Sequence, residues 1–208
     1  MMTDGLATLN SFIRAGFLLA LCLLLAGCAA RQVRPDGAWI TERQAWFEAH
    51  PSWRIDGRVG LSDGQRAGSL SFVWQADHDS HFIHLRASAG GRQWKLSFSG
   101  QHAELEGSEV GHISARRPEP LLERALGWPI PAGTLVWWVR GLLPPDSLQH
   151  DFADDGTLAR VSDGVWTLDY QRFRQVGELL MPVRLEARSG DYRIRIVVRE
   201  WKFGDEFG

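Results

Sequence analysis

Cysteine is scarce in this sequence: the 208 residues include only two, Cys22 and Cys28. Two cysteines do not make the disulfide framework that holds many small secreted domains together. An excess of charge of one sign is also absent, because 25 acidic residues nearly balance 23 basic ones and the net charge is −2. The sequence therefore lacks the basic field expected of a nucleic-acid-binding protein.

A long apolar run is absent as well. The apolar stretch near the N-terminus, Phe17–Ala26, has ten residues, whereas a membrane-spanning helix takes ~20. Its length is typical of the hydrophobic region of a signal peptide, and Arg14 supplies the preceding positive charge. We predict a signal peptide over residues 1–27, with the start codon open between Met1 and Met2.

The end of this stretch, Leu25–Cys28, resembles the lipobox of bacterial lipoproteins. Small residues before the cut fit a protease pocket, and a thiol is the nucleophile that can carry a thioether-linked diacylglyceryl group. We expect Cys28 to carry a lipid anchor; the alternative is a signal anchor that happens to end in cysteine. Ala29 follows, which by analogy with lipoprotein sorting favours the outer membrane.

Tryptophan and glycine are abundant, at 10 and 22 residues, and 44% of the chain is hydrophobic. This composition fits one globular domain with a large sheet and tight turns. Residues 28–39 are interpreted as the lipidated cysteine and a flexible tether, and residues 40–208 as a single domain. A helix is predicted with Thr41 as N-cap and Pro51 beyond its end. The side chains expected on one face of this helix are Ala45, Trp46 and Ala49.

Most of the domain shows apolar residues at every second position, with turn residues every 8–12 positions, a pattern typical of an antiparallel meander of about ten or eleven strands. The predicted strands are 53–61, 66–76, 81–87, 92–99, 103–107 and 109–114, followed by hairpins around Asp163–Gly164 and Gly190.

Residues 116–145 break this alternation and show helical spacing. Pro131 fits a helix start and Gly141 a helix end. The expected apolar stripes are Leu121, Leu122 and Ala125, then Leu135, Trp138, Val139 and Leu142. A sheet rolled around such an insert encloses an apolar interior, and periodicity alone leaves open whether that interior is a cavity or a filled core.

Catalytic and metal-binding patterns are weak. Gly60–Gly64 matches G-x-S-x-G, but a nucleophile elbow needs a following helix, and Ser62 is instead predicted in a turn between two strands. His78, His81 and His84 are spaced by three, which places His81 and His84 on opposite faces of a strand. We therefore expect no enzyme, no metal and no cofactor.

Several segments together resemble the LolB family of outer-membrane lipoprotein receptors. The insert carries Pro129–Pro131, then Leu135 and Trp138–Leu142, which is similar to the P-x-P…L…W-x-x-G-L segment of that family. Gly57–Gly60 and Phe72–Gln75 are similar to its opening strands. The likeness runs in order from about Trp46 to Trp201.

The resemblance implies a mainly β fold with helices (α+β): an incomplete antiparallel barrel of about 10–11 strands, capped by helices around an apolar cavity. It implies a monomeric lipid-anchored receptor on the periplasmic face of the outer membrane of a Gram-negative bacterium. Such a receptor accepts acylated lipoproteins from a periplasmic LolA-like carrier and releases them into the inner leaflet of that membrane without a cofactor. Tryptophan-rich walls suit varied acyl chains, because rings offer area without directional demands.

The side chains that we expect to line this acyl-chain cavity are Trp53, Phe72, Trp74, Leu85, Trp94, Leu96, Leu135, Trp138, Trp166 and Tyr170. The arginines Arg54, Arg58, Arg193 and Arg195 fall on polar strand faces, where they either meet an acidic carrier or face solvent.

The sequence departs from the family in one place. The family has a protruding loop between its third and fourth strands, with an exposed leucine that aids release into the membrane. The matching loop is Ser88, Ala89, Gly90 and Gly91, and Ala89 takes the leucine position. Alanine offers less apolar area, so either this loop works weakly or the membrane wedge lies elsewhere.

Two other functions remain open on the sequence. The first is a lipoprotein with the same half-barrel that binds lipid or senses mislocalised lipoproteins. The second is an envelope scaffold with a filled core, which would not bind an apolar fluorophore.

Overall fold

The computed structural model describes residues 37–107 and 109–204. The predicted signal peptide and Cys28 lie outside the described residues. The described part contains three helices: α1 (Ala38–Ala49), α2 (Pro118–Leu126) and α3 (Ala132–Val139). Its strands are β1 (Ser52–Ser62), β2 (Ala67–Asp77), β3 (Ser80–Ala87), β4 (Gln93–Ser99), β5 (His102–Gly107), β6 (Gly111–Ala115), β7 (Gln149–Phe152), β8 (Leu158–Ser162), β9 (Thr167–Val176), β10 (Leu179–Ser189) and β11 (Tyr192–Phe203).

The eleven strands form one antiparallel sheet in the order β6-β5-β4-β3-β2-β1-β11-β10-β9-β8-β7. Consecutive strands pair with each other within two meanders, β1–β6 and β7–β11, and the pairing of β1 with β11 joins the two. The sheet is open, since β6 and β7 are its two edges, and the helices cover its inner face. This arrangement confirms the predicted incomplete barrel with helices and its strand number.

Alternation along each strand decides which side chains face the interior. In β3, for example, His81, Ile83 and Leu85 are buried while Phe82 and His84 are exposed. The antiparallel register places the turns 62–66, 88–92, 162–166 and 189–191 at one end of the sheet, here named the loop rim. The opposite end, named the base, carries the turns 77–80, 99–102 and 177–178.

Helix α1 begins earlier than predicted. Its N-cap is Gly37, with φ +82°, so the predicted N-cap at Thr41 is wrong. Trp39 lies inside the helix and is fully buried, so residues 38 and 39 belong to the domain and not to the tether. A glycine N-cap without a side-chain acceptor leaves little signal in the sequence.

The buried face of α1 also differs from the prediction. Its buried side chains are Trp39, Arg43 and Phe47, at i, i+4 and i+8, whereas Ala45 and Ala49 are exposed. The buried face was not recognised in the sequence because one of its three residues, Arg43, is charged and interrupts the apolar spacing that marks a helix face.

Strand β7 was not predicted. All but the last of its four residues are exposed, so the segment shows no apolar alternation. It forms because β8 offers an unpaired edge, and the pairing begins where the Leu148 backbone N–H donates to the Ser162 carbonyl at 2.8 Å.

Gly57 sits where the β1–β11 register shifts, and a Cβ there would lie 2.2 Å from the Val197 carbonyl oxygen. We expect Gly57→Ala to lower the free energy of unfolding by about 1–3 kcal/mol, because the backbone of β11 must move. Gly60→Ala is the matched control, since its nearest neighbouring atom lies at 4.0 Å. Urea unfolding measures both, and an equal effect would contradict the steric explanation.

Candidate functional site

An apolar cavity of about 60 Å³ lies between the inner face of the sheet and the two helices of the insert. Strands β1–β4 and β11 form its wall, and α2, α3 and the segment joining these helices form its lid. No polar atom contributes to its lining surface. The lining side chains are Val59, Leu70, Phe72, Trp74, Ile83, Leu85, Leu96, Leu122, Ile130, Ala132, Leu135, Val139 and Ile196.

Half of the predicted set lines this cavity: Phe72, Trp74, Leu85, Leu96 and Leu135. The other five predicted side chains lie outside its lining; they are Trp53, Trp94, Trp138, Trp166 and Tyr170. The expectation of tryptophan-rich walls is wrong, because the lining is aliphatic apart from one phenylalanine and one tryptophan.

The remaining rings pack elsewhere. Trp53 lies at the base between Trp74 and Trp201, with ring centroids 5.5 and 5.7 Å away. Trp138 is fully buried, and the Tyr170 hydroxyl donates to its backbone carbonyl at 2.9 Å. These rings fix the frame around the cavity and leave the cavity itself to aliphatic side chains.

Eight lining residues are outside the predicted set. Several stand two positions from a predicted residue on the same strand, as Leu70 does before Phe72 and Ile83 before Leu85. The period of two along a strand is the signal that identifies them. These residues were omitted because the sequence prediction preferred aromatic side chains to aliphatic ones at the inward-facing positions of the same strands.

The lid is pinned at the C-terminal end of α3. The last carbonyls of a helix lack partners within it, and here side chains from α1 take them. The Trp39 indole N–H donates to the Gly141 carbonyl at 2.9 Å, and Arg43 Nε donates to the Arg140 carbonyl at 2.8 Å. Gly141 has φ +70°, and a Cβ there would lie 2.8 Å from Arg43 Nε.

The two lid helices are joined to each other at their N-terminal ends. Glu119, in the first turn of α2, accepts a hydrogen bond from the Gly133 backbone N–H of α3 at 2.8 Å. The other end of α2 stops at Gly127, which has φ +75°. Beyond it the Trp128 ring lies under the guanidinium of Arg66, at 5.1 Å.

A groove of about 280 Å³ lies at the loop rim beside this end of α2. Its walls include Leu126 and Trp128 of the lid, Ala89 of the loop between β3 and β4, and Trp94 of β4. Leu70 lines both the groove and the apolar cavity. The groove is therefore separated from the cavity by a thin layer of side chains.

The loop that carries Ala89 is fully exposed from residue 88 to residue 91. Gly90 and Gly91 have φ values of +79° and +66°, which favour glycine because L side chains rarely adopt them. The loop lies at the loop rim next to the groove, as its position between β3 and β4 requires.

His81 is a buried titratable group on the inner face of the sheet. Its Nδ1 accepts a hydrogen bond from the Trp74 indole N–H at 3.3 Å, and its ring stacks on Phe98 at 4.7 Å. Burial, together with the positive charge of Arg140, lowers the pKa of His81 from 6.5 to about 4. His81 is therefore neutral at physiological pH.

Two of the arginines predicted on polar strand faces, Arg193 and Arg195, take part in an ion-pair network while their side chains stay about half exposed. Glu186 is buried and pairs with Arg188, Arg193 and Arg195. Burial opposes its ionisation, but hydrogen bonds from Arg195 and Arg188 outweigh that effect and keep the pKa of Glu186 below its ordinary value. Arg193 and Arg195 thus stabilise the outer face of β10 and β11.

The Ser62 hydroxyl accepts a hydrogen bond from the Gly64 backbone N–H at 3.3 Å, so this serine caps a turn between two strands. Across residues 37–107 and 109–204, His, Cys, Asp and Glu side chains form no group of three or more that could hold a metal ion. No helix in this same part of the chain is long and apolar enough to cross a membrane.

Solved structures define the class of fold. A LolA superfamily protein from Nitrosomonas europaea superposes with a TM-score of 0.54 at 10% sequence identity, covering 85% of this chain and 90% of the other. A DUF1329 family protein from Desulfovibrio piger also reaches 0.54, at 6% identity, covering 81% and 92%. The half-barrel with a helical lid is thus the LolA-like fold.

Sequence comparison identifies the family within this class. Residues 51–201 match the family model described as outer membrane lipoprotein LolB. The outer-membrane lipoprotein LolB of Stutzerimonas stutzeri is 33% identical over 89% of this chain and 94% of its own length, and that of Pseudomonas paraeruginosa is 34% identical over 89% and 95%. The chain belongs to the LolB family. It is therefore a lipid-anchored protein of the outer membrane of Gram-negative bacteria.

We expect the stability of the protein to fall as pH drops from 6.5 toward 4, because the unfolded state protonates His81 before the folded state does. The contribution of this group is up to about 3 kcal/mol. His81→Gln keeps an acceptor for Trp74 but does not titrate, so it should flatten the slope. His84→Gln, on the exposed face of the same strand, is the control; equal slopes in all three proteins would contradict the prediction.

Proposed function

We propose that this protein receives lipoproteins from a LolA-like periplasmic carrier, holds their acyl chains in the apolar cavity and releases them into the outer membrane. The observation that carries the proposal is a cavity without a polar lining atom, closed by a two-helix lid. Membership of the LolB family supports the same role. Cys28 is the proposed attachment point of the anchor.

Acyl chains need more room than the cavity offers at about 60 Å³, so we infer that loading requires the lid to move. The carbonyl bonds from Trp39 and Arg43 hold the C-terminal end of α3. Within residues 37–107 and 109–204, no such hydrogen bond holds the end of α2 near Trp128, where the ring contacts the guanidinium of Arg66. We infer that the lid opens at the loop rim and that the rim groove becomes the mouth of the cavity.

Cargo transfer by this route needs no nucleotide. Each buried CH₂ group contributes ~0.8 kcal/mol, and an acyl chain moves from carrier to receptor to bilayer only if each site binds it more favourably than the one before. Aliphatic walls fit this task, because they supply apolar contact without a directional demand that would fix one chain length.

The decisive test mixes the mature chain, with Cys28→Ala to keep it soluble, with carrier preloaded with a triacylated lipoprotein. We expect the cargo to move onto this chain, as measured by co-purification after separating the two proteins. Cargo that stays on the carrier, with a correctly folded acceptor, would exclude the receptor role. Lipid bound by the acceptor but never passed to vesicles would favour a sensor.

A cavity variant tests the proposed binding site. Leu135→Phe places a larger side chain in the cavity from the lid, and we expect cargo acceptance to fall about tenfold, corresponding to the loss of one buried side chain's contact. Leu180→Phe makes the same change at a half-buried position outside the lining. Equal acceptance by both variants, with unchanged thermal stability, would contradict binding in this cavity.

A lid variant tests the proposed closure. Trp138→Ala removes a fully buried ring from α3 and should cost about 3–5 kcal/mol of stability, loosening the lid and reducing transfer. Tyr170→Phe, which removes only the hydroxyl bond to the Trp138 carbonyl, should cost about 1 kcal/mol. Full stability and full transfer in Trp138→Ala would show that α3 is not the closing element.

A further inference from the structure

The two most exposed large apolar side chains of the described residues lie together at the loop rim. Leu148 and Val165 are each 71% exposed. Leu148 precedes β7, and Val165 belongs to the turn between β8 and β9. A Cβ on Gly164 would lie 2.9 Å from Leu148 Cδ1, so the leucine rests directly against that turn. Leu148 and Val165 are here named the rim patch.

The turn that presents Val165 has a counterpart in the same chain. Residues 162–166 read Ser-Asp-Gly-Val-Trp, and residues 62–66 read Ser-Asp-Gly-Gln-Arg. In the first turn Asp163 Oδ1 accepts from the backbone N–H groups of residues 165 and 166 at 2.9 and 2.7 Å. In the second, Asp63 Oδ1 accepts from those of residues 65 and 66 at 3.1 and 2.7 Å.

The glycines of the two turns also have similar backbone conformations, with φ +88° at Gly164 and φ +82° at Gly64. The same turn is therefore built twice, with Gln65 at the outward position in one copy and Val165 in the other. Since the turn forms with glutamine, its geometry does not require an apolar residue there. The exposure of Val165 and Leu148 is a surface property that folding does not explain.

We propose that the rim patch is the membrane-contacting wedge of this protein, inserting into the inner leaflet of the outer membrane in place of the loop around Ala89. This inference rests on the proposed release of cargo into that membrane. Ala89 is exposed at the same rim but carries only one methyl group. Leu148 and Val165 supply the aliphatic area that this loop lacks.

The size of the patch favours a bilayer over a protein partner. A stable protein interface buries roughly 800 Å² on each side, far more than two side chains offer. A lipid-anchored protein is held beside the bilayer at high effective concentration, so a small apolar contact suffices. On the strands beside the patch, Arg160 and Arg188 both pair with Asp169, so the contact depends on apolar insertion more than on anionic headgroups.

The length of chain before the domain permits this contact. Nine residues lie between Cys28 and Ala38, so ten Cα–Cα steps connect them, and a chain of that length spans at most ~35 Å. Helix α1 begins beside Phe173, where the Trp39 ring packs at 5.1 Å. Along β9 the rim patch lies about eight residues from Phe173, or ~26 Å. The predicted anchor therefore reaches a membrane on which the loop rim rests.

The test uses the full lipidated chain in vesicles of phosphatidylethanolamine and phosphatidylglycerol that contain nitroxide-labelled lipid. A fluorophore is attached at Leu148→Cys at the loop rim or at Glu178→Cys at the base. We expect strong quenching by lipid at position 148 and little at 178. Adding Val165→Gln should weaken the quenching at 148 several-fold, whereas Gln65→Ala in the matching turn should leave it unchanged.

Equal quenching at both positions, or no effect of Val165→Gln, would overturn the proposal. In a separate transfer assay, Leu148→Gln/Val165→Gln should load cargo from the carrier normally and release it to vesicles about tenfold more slowly. Loss of loading with unchanged quenching would assign the patch to the carrier and overturn the proposal. Quenching that persists in a protein unable to accept any cargo would support the membrane contact while refuting the receptor function.

Discussion

The pairing of β1 with β11 is the contact on which the rest of the structure depends. Ten residue pairs join the strands that begin and end the sheet in sequence, and without them the chain would be two separate meanders. This closure brings Val59 and Ile196 together in the cavity wall. Gly57 makes the approach possible, because its missing Cβ lets Val197 come close at the register shift.

Strand positions were largely predictable, because a strand that buries one face carries apolar residues at every second position of the sequence. Strand β7 and the buried face of helix α1 were not. Strand β7 has no apolar alternation and exists only because β8 pairs with it. Helix α1 buries Arg43, whose guanidinium stacks over Trp39 at 4.2 Å. A buried cation does not follow the apolar spacing of a helix face. The role of Arg43 is evident only from the structure, where its guanidinium donates to a carbonyl at the end of α3.

The inward-facing rows of the sheet were predictable from the sequence, whereas the composition of the cavity lining was not. The inward rows of β2, β3 and β4 are evident from their alternation, and they do form the cavity wall. Which inward residues face the cavity, and which pack behind it, depends on the curvature of the sheet and on where the lid rests. Trp94 shows this: its ring fills the space above Gly107, where a Cβ would lie 2.2 Å from it, so it lines the groove and not the cavity.

The distribution of rings bears on the proposed opening of the lid. Trp53, Trp74, His81, Trp201 and Phe203 form a chain of ring contacts at the base, where packing of large rings resists movement. The cavity next to this base is lined mainly by aliphatic side chains, and at the loop rim the Trp128 ring lies under the guanidinium of Arg66. Aliphatic contacts lack a fixed geometry and reform after displacement. The proposed lid movement is therefore expected at the end of the barrel that carries the groove and the exposed apolar residues, away from the ring contacts of the base.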